Sequence, residues 1–241
     1  MHHLIRFNLY ASRMMSEPAP PASPSGFVSL QHVRFTPAES LERARAFRAE
    51  LASRRSVRRF SRDPIPDGVL DECIAAAASA PSGANKQPWT FVVVRDPATR
   101  QLLRYAVEEE ERRFYSERIT DLWREDLRPL GTTWEKPYVE EAPAVIVMFR
   151  QVHGVEGDRR VPHYYTQESV GIAVGFLLAA LHHAGLVALT HTPAPMEFLE
   201  RLLQRPHNER GFMLIPVGYP AEGCRVPDIP RKSLDEVRIV R

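Results

Sequence analysis

The chain has 241 residues, enough for one large domain or two small ones with a substantial core. Its 44% hydrophobic and 26% charged residues are an ordinary globular balance, and a net charge of +2 gives no global signal for a nucleic-acid partner. The two cysteines, Cys73 and Cys224, and the nine histidines fall in no zinc-type spacing. No disulfide framework or structural metal is expected, and the cysteine usage suits a reducing cytoplasm.

The first stretch, "MHHLIRFNLYASRMMSEPAPPASPSG", has no long apolar segment and reads as a poor signal peptide, with Met14 or Met15 as alternative starts. Its Pro/Ser-rich end predicts disorder over residues 1–30, with one domain over 31–241. "TPAESLERARAFRAELASRR" opens on Thr36, Pro37 and Glu39, a capping-box pattern, and carries Leu41, Ala44, Phe47 and Leu51 at helical spacing. A second helix follows in "PDGVLDECIAAAASAPSG", stopping near Pro81 and Gly83. "WTFVVVRD" (89–96) reads as a buried strand, and Asp96–Pro97 starts a charged helix reaching about residue 118.

"AVIVMFR" (144–150) is a second buried strand. The apolar run 169–181 is too short to span a bilayer and predicts a core helix ending at Gly185, a natural C′ residue. "LVALTHT" (186–192) and "FMLIPVGY" (212–219) predict two more strands, with "EFLERLLQ" a helix between them. The Pro-broken tail from 224 reads as an extended arm. The order αα-β-α-β-α-β-α-β indicates an α+β or α/β layered domain. Neither a dinucleotide G-x-G-x-x-G nor a Walker A pattern occurs.

"RRSVRRF" (54–60) packs four arginines into seven positions. Such a cluster is either a solvated basic turn or a clamp for a doubly charged phosphate, which guanidinium groups bind in bidentate fashion. "SAPSGANKQPW" (79–89) is a Pro/Gly/Ser loop able to bring backbone N–H groups close to a flat ligand, "LTHTP" (189–193) ends a strand with hydroxyls, and "PRKSLDEV" (230–237) adds a late arginine.

The pairing of "RRSVRRF" with "APSGANKQPW" resembles the nitroreductase superfamily of flavin enzymes. "EEEERRFY", "DLRPLGTTWEKPYVEEAPAVIVMFRQVHG", "HYYTQESVGIAVGFLLAALHHAGLVALTHTP" and "MLIPVGYPAEGCRVPDIPRKSLDEV" narrow the resemblance to the iodotyrosine deiodinase family, over about residues 51–239. The resemblance implies an α+β nitroreductase-like fold with a central mixed sheet flanked by helices. It also implies a homodimer with FMN at its interface and the C-terminal arm exchanged.

Residue by residue, it implies that Arg54, Arg55, Ser56, Arg58 and Arg231 hold the FMN phosphate and neighbouring groups. Pro81 and Ser82 would line the flavin, and Thr190, His191 and Thr192 would sit at the isoalloxazine edge, with the hydroxyl or backbone of Thr192, the catalytic residue, facing N5. Glu111 would take the ammonium of a zwitterionic amino acid, Tyr115 and Lys136 its carboxylate, and the Ala84 N–H the phenolate oxygen. Glu111 and Tyr115, four apart on a helix, can share one ligand. Taken without the resemblance, "EEEERR" is an ordinary solvated helix face, Lys136 a surface lysine and Tyr138 a core residue.

The implied activity is reductive dehalogenation of iodo-, bromo- or chlorotyrosine, with NAD(P)H or a reductase as electron source and a lid over about 105–137. No nucleic acid or membrane partner is implied. A generic NAD(P)H-dependent nitro- or quinone reductase and a non-catalytic flavin-binding protein are the competing readings. The set Glu111, Tyr115 and Lys136 discriminates against the first, which has no need of a zwitterion site.

Overall fold

The computed structural model describes residues 26–241. The disorder expected for residues 1–30 lies, up to residue 25, outside the described residues; from 26 to 30 the chain is exposed and has no regular structure. A first unit ends at Arg45 and a second spans Ala46–Arg241. In the first, the Thr36 hydroxyl accepts from the Glu39 N–H at 3.3 Å and the Glu39 carboxylate accepts from the Thr36 N–H at 2.9 Å. This is the predicted capping box, and it starts helix α1 (Pro37–Ser53).

In the second unit, α2 (Val69–Ala78), β1 (Trp89–Val94) and α3 (Pro97–Arg113) follow as the periodicity predicts. Asp96 caps α3 by accepting from the Thr99 N–H at 2.8 Å. The chain then makes a π-type turn over Phe114–Arg118, and α4 (Asp121–Leu127) and α5 (Tyr138–Glu141) precede β2 (Ala144–Gln151). A hairpin of β3 (His153–Glu156) and β4 (Arg159–Pro162) leads to α6 (Thr166–His183). Then come β5 (Val187–Ala188), α7 (Glu197–Leu202), β6 (Glu209–Gly218) and α8 (Leu234–Val237). The tail expected to be wholly extended thus holds one helical turn, capped by Ser233 and Glu236.

The main sheet runs β1-β2-β6-β5, with antiparallel ladders; the parallel element is a bridge from Ser56 to Ala188. β2 is buried on both faces. Ile146 and Met148 pack with Leu70, Cys73, Leu177 and Leu181 of α2 and α6, whereas Val145, Val147 and Phe149 pack with Leu103, Val107 and Leu199 of α3 and α7. Three layers result, and the unbroken apolar run of β2 follows from them.

The strand expected over 186–192 is shorter as regular structure, for a local reason. The register with β6 persists to His191, which exchanges both backbone hydrogen bonds with Leu214, at 2.9 and 2.8 Å. Between them Leu189 donates to the Pro216 carbonyl at 3.1 Å, but Pro216 has no N–H to return, so the ladder is interrupted. His191 therefore stays pinned to the sheet while the segment beyond it turns away. At the other end of this connection Gly185 (φ +78°) and Leu186 close a Schellman motif on α6, as its C′ glycine predicts.

Candidate functional site

Arg54, Arg55, Ser56, Arg58 and Arg231 line one cavity of about 260 Å³, so the structure brings together the five residues assigned to a phosphate. Ser56 is held by its bridge to Ala188, which fixes the arginines beside the edge of β5. The Arg231 guanidinium reaches back from the tail to the carbonyls of Ala52 (2.8 Å) and Arg54 (2.7 Å), and Arg55 donates to the Pro227 carbonyl. Among the described residues no carboxylate forms an ion pair with any of the four arginines. Burial, then the charges of Arg231 and Arg55, push the Arg54 guanidinium below its usual range. Cations gathered with no anion among them fit a ligand that brings its own negative charge.

Arg58 also lines a second cavity of about 180 Å³, with Glu111, Tyr115, Lys136, Tyr138, Thr190, His191 and Thr192. Glu111, near the end of α3, has its two oxygens divided between partners. Oε1 lies 2.7 Å from His191 Nε2, and Oε2 lies 3.1 Å from Lys136 Nζ. The three side chains are nearly closed off from solvent.

Lys136 is anchored through its backbone, whose N–H donates to Glu108 Oε1 at 2.7 Å. Its ammonium also donates to Thr132 Oγ1 at 3.2 Å and to the Thr133 carbonyl, and lies 5.4 Å from the Tyr115 ring centroid. The Tyr115 hydroxyl donates to the Thr132 carbonyl at 3.3 Å.

Burial alone would raise the Glu111 carboxyl. The His191 hydrogen bond and the Lys136 charge outweigh it and hold Glu111 below the usual carboxylate range. Burial pulls Lys136 and His191 down, with Glu111 opposing in both cases, and burial pushes the Tyr115 phenol up. The resulting site has an ionised carboxylate and an ammonium a few ångströms apart, which complements the two ends of a zwitterion.

Two features were not assigned to the site from sequence. The Tyr138 hydroxyl, read as core, lies 3.2 Å from His191 Nδ1. Phe114, Trp123 and Leu127 wall the cavity, with the Phe114 and Trp123 rings 4.8 Å apart edge to face. The aromatic and apolar positions of 114–127 were visible in the sequence, but the π-type turn that aims Phe114 was not.

Pro81, Ser82 and Ala84 lie elsewhere in the chain. Their loop packs against the start of α6: a Cβ on Gly83 would sit 2.8 Å from the Tyr164 carbonyl oxygen, and Ala84 and Asn85 both adopt positive φ, near +50°. The arginines follow Ser53, whose hydroxyl meets His182 at the far end of α6 at 2.9 Å. Ser169 to His182 along that helix is about 20 Å at about 1.5 Å per residue. One chain therefore does not bring the 81–84 loop to the arginines.

Among the described residues no helix is long and apolar enough to cross a membrane, and no His/Cys/Asp/Glu cluster is arranged to hold a metal ion.

Residues 51–219 match the nitroreductase family. The chain is 52% identical to an iodotyrosine deiodinase from Haliscomenobacter hydrossis, covering 89% of this chain and 97% of that protein. It is 46% identical to iodotyrosine deiodinase 1 from Rattus norvegicus, covering 88% and 75%. Among solved structures it resembles oxidised iodotyrosine deiodinase bound to FMN and 3-iodo-L-tyrosine, with a TM-score of 0.70 and 33% identity, covering 81% of this chain and 97% of that one. A three-layer α+β fold, an arginine cluster without carboxylates and an adjoining buried Glu111–Lys136 pair agree with these likenesses, and the chain belongs to the nitroreductase family and, within it, to the iodotyrosine deiodinases.

Proposed function

We propose that the protein is an FMN-dependent oxidoreductase that reductively dehalogenates halotyrosines, 3-iodotyrosine first among them. The observation that carries the reading is the Glu111–Lys136 pair in a cavity that adjoins the arginine cavity through Arg58. A flavin mononucleotide would place its phosphate among Arg54, Arg55, Ser56, Arg58 and Arg231 and its ring toward Thr190–Thr192. The compact clamp suits one terminal phosphate, and no dinucleotide fingerprint occurs in the chain.

The net reaction breaks the carbon–halogen bond, releases halide and forms a carbon–hydrogen bond, consuming two electrons and one proton. Reduced FMN supplies the electrons when bound, and NAD(P)H or a reductase restores it. The chain's own groups bind and orient. Glu111 takes the substrate ammonium, Tyr115 and Lys136 take its carboxylate, and the Ala84 N–H, on the 81–84 loop of a second copy, donates to the phenolate oxygen. Thr192 presents a hydroxyl donor to the flavin edge, and His191 stands beside it. The 105–137 segment, carrying Phe114, Trp123 and Leu127, acts as a lid that excludes water.

The working form is a homodimer. With the 81–84 loop about 20 Å along α6 from the arginines, a complete flavin site needs that loop from a second copy, with Pro81 and Ser82 against the flavin. An apolar face of α6 is available for pairing. Gly171 and Gly175 open onto free space, and Ile172 and Phe176 beside them are 42% and 44% exposed. The tail beyond Cys224 is the arm exchanged between protomers.

Titration of the FMN-loaded protein with 3-iodo-L-tyrosine and with 2-iodophenol, followed by flavin fluorescence, tests this reading. Much tighter binding of the amino acid supports it. Equal affinities would mean that Glu111 and Lys136 do not meet the ligand, as in a generic nitro- or quinone reductase.

A further inference from the structure

Glu111 holds the Lys136 ammonium on Oε2. When Lys136 turns to the carboxylate of an entering zwitterion, Glu111 Oε2 is left for the ligand ammonium. Glu111 is then about to lose one of its two buried partners, and a buried carboxylate left loose does not present its free oxygen in a defined place. The division of its oxygens bears on this. Lys136 takes Oε2, whereas His191 takes Oε1 at 2.7 Å. We propose that His191 is a positioning residue that keeps Glu111 aimed at the ligand ammonium once Lys136 has left it, and so sets the preference for zwitterions. The proposal rests on the halotyrosine reading of this cavity.

The chemistry of the contacts fixes the roles. An ionised carboxylate only accepts, so His191 Nε2 carries the proton and donates to Oε1. Nδ1 is then the acceptor, and the Tyr138 hydroxyl at 3.2 Å donates to it. The imidazole is held from three sides. Its backbone exchanges two hydrogen bonds with Leu214, its ring packs edge to face on Tyr138 at 5.7 Å, and burial keeps it in the neutral form that this tautomer requires. The charged groups facing the pair are Lys136 and Arg58, with Glu108 behind Lys136. None of them hydrogen-bonds to His191, so the Tyr138–His191–Glu111 relay is its sole side-chain tie among the described residues.

Lys136 does not depend on Glu111 for its place. Thr132 Oγ1 and the Thr133 carbonyl hold its ammonium from the other side. Exchange of one cation for another also leaves the charge of the cavity unchanged. The ligand ammonium replaces Lys136 on Oε2, and Lys136 pairs with the ligand carboxylate. A halophenol, which has neither ammonium nor carboxylate, needs no exchange and makes no demand on Glu111.

The test uses FMN-loaded protein and flavin fluorescence with 3-iodo-L-tyrosine and 2-iodophenol at a series of pH values. His191→Leu removes the donor, and the ratio of iodotyrosine to iodophenol affinity should fall roughly tenfold, the loss of one charge-assisted hydrogen bond. The acid limb of iodotyrosine binding should move to higher pH, because Glu111 has lost a group that keeps it ionised. His191→Gln, which retains an N–H donor, should restore most of the ratio. Tyr138→Phe, which leaves the ring in place and removes the relay's first donor, should lower the ratio by a smaller factor. An unchanged ratio and pH profile in His191→Leu overturns the proposal, as does an equal loss for both ligands. Failure of the wild type to prefer iodotyrosine overturns the functional reading itself, and this inference with it.

Discussion

The Glu111 carboxylate and the Lys136 ammonium meet at 3.1 Å with Lys136 only 3% exposed and Glu111 9% exposed, joining the end of α3 to the segment before α5. Breaking a buried pair leaves an uncompensated charge. The two partners are not equivalent. Without Lys136, Glu111 keeps His191, whereas without the Glu111 charge Lys136 keeps only neutral oxygens. Glu111→Gln should therefore cost more stability than Lys136→Met, within a range of about 1–4 kcal/mol. The double variant should lose less than the sum. Urea unfolding of the four proteins measures the coupling, and strict additivity would show that the pair contributes nothing.

The arginine cavity makes a prediction of opposite sign for stability and binding. Arg54 stands among cations with no carboxylate, so Arg54→Ala should leave the flavin-free protein as stable as the wild type or more so. The same variant should weaken FMN binding by about 1.5–3 kcal/mol, the range for a charged hydrogen bond. Arg231→Ala should weaken FMN binding similarly but also lower the flavin-free melting temperature, because its guanidinium ties the tail to the Ala52 and Arg54 carbonyls. Calorimetry and flavin titration separate the two. A drop in flavin-free stability for Arg54→Ala would show that the cluster is a structural device.

If the 81–84 loop reaches the flavin from a second copy, as proposed, flavin binding depends on assembly. Gly175→Gln and Phe176→Glu place a bulky or charged group on the exposed face of α6, where a Cβ on Gly175 meets nothing. Both should give monomers that retain the fold and lose FMN together. Light scattering and flavin absorbance on the same sample check this. A monomer with full FMN content would contradict the composite site.

Much of this was legible because the local and global signals agree. The capping box at Thr36, the two-faced apolar run of β2 and the C′ glycine at Gly185 each depend on neighbours in sequence, and each is where its pattern puts it. The β3–β4 hairpin was missed although Gly157, at φ +60°, and Asp158 form the two-residue loop that marks such a turn. Its strands are short and polar, so alternation gave no cue.

The site residues came through a family resemblance rather than through periodicity. Within "EEEERR" alone nothing separates Glu111, which is buried, from Glu109, which is exposed, although Glu111 continues the four-residue spacing of the buried Leu103 and Val107. That difference arises from the packing of α3 against α5 and the segment carrying His191. Pro216, which interrupts the ladder opposite Leu189, could have been read as shortening the strand predicted there.

Acid should lower the stability of the fold through Glu111 and His191 in a definite direction. Both groups titrate below their ordinary values in the folded protein, so between the folded and unfolded values the unfolded chain binds more protons. Stability from Glu111 is present above its ordinary carboxylate value and is lost as pH falls through the lower folded one. His191 lowers stability over a window that begins below its ordinary imidazole value. The urea midpoint should thus decline from about pH 7 to about pH 5, and His191→Leu should decline less over that interval. A variant with the wild-type slope would place the acid sensitivity elsewhere.

Passage of electrons from bound flavin to a halotyrosine held as a zwitterion is the step on which the proposed function turns. Anaerobic single turnover tests it most directly: FMN-loaded protein is reduced with dithionite, freed of excess reductant and mixed with 3-iodo-L-tyrosine, while flavin absorbance, iodide and tyrosine are followed. Full flavin reoxidation, with one iodide and one tyrosine released per flavin, is the expected result. Flavin that stays reduced with 3-iodo-L-tyrosine, yet is reoxidised promptly by a nitroaromatic, would contradict it.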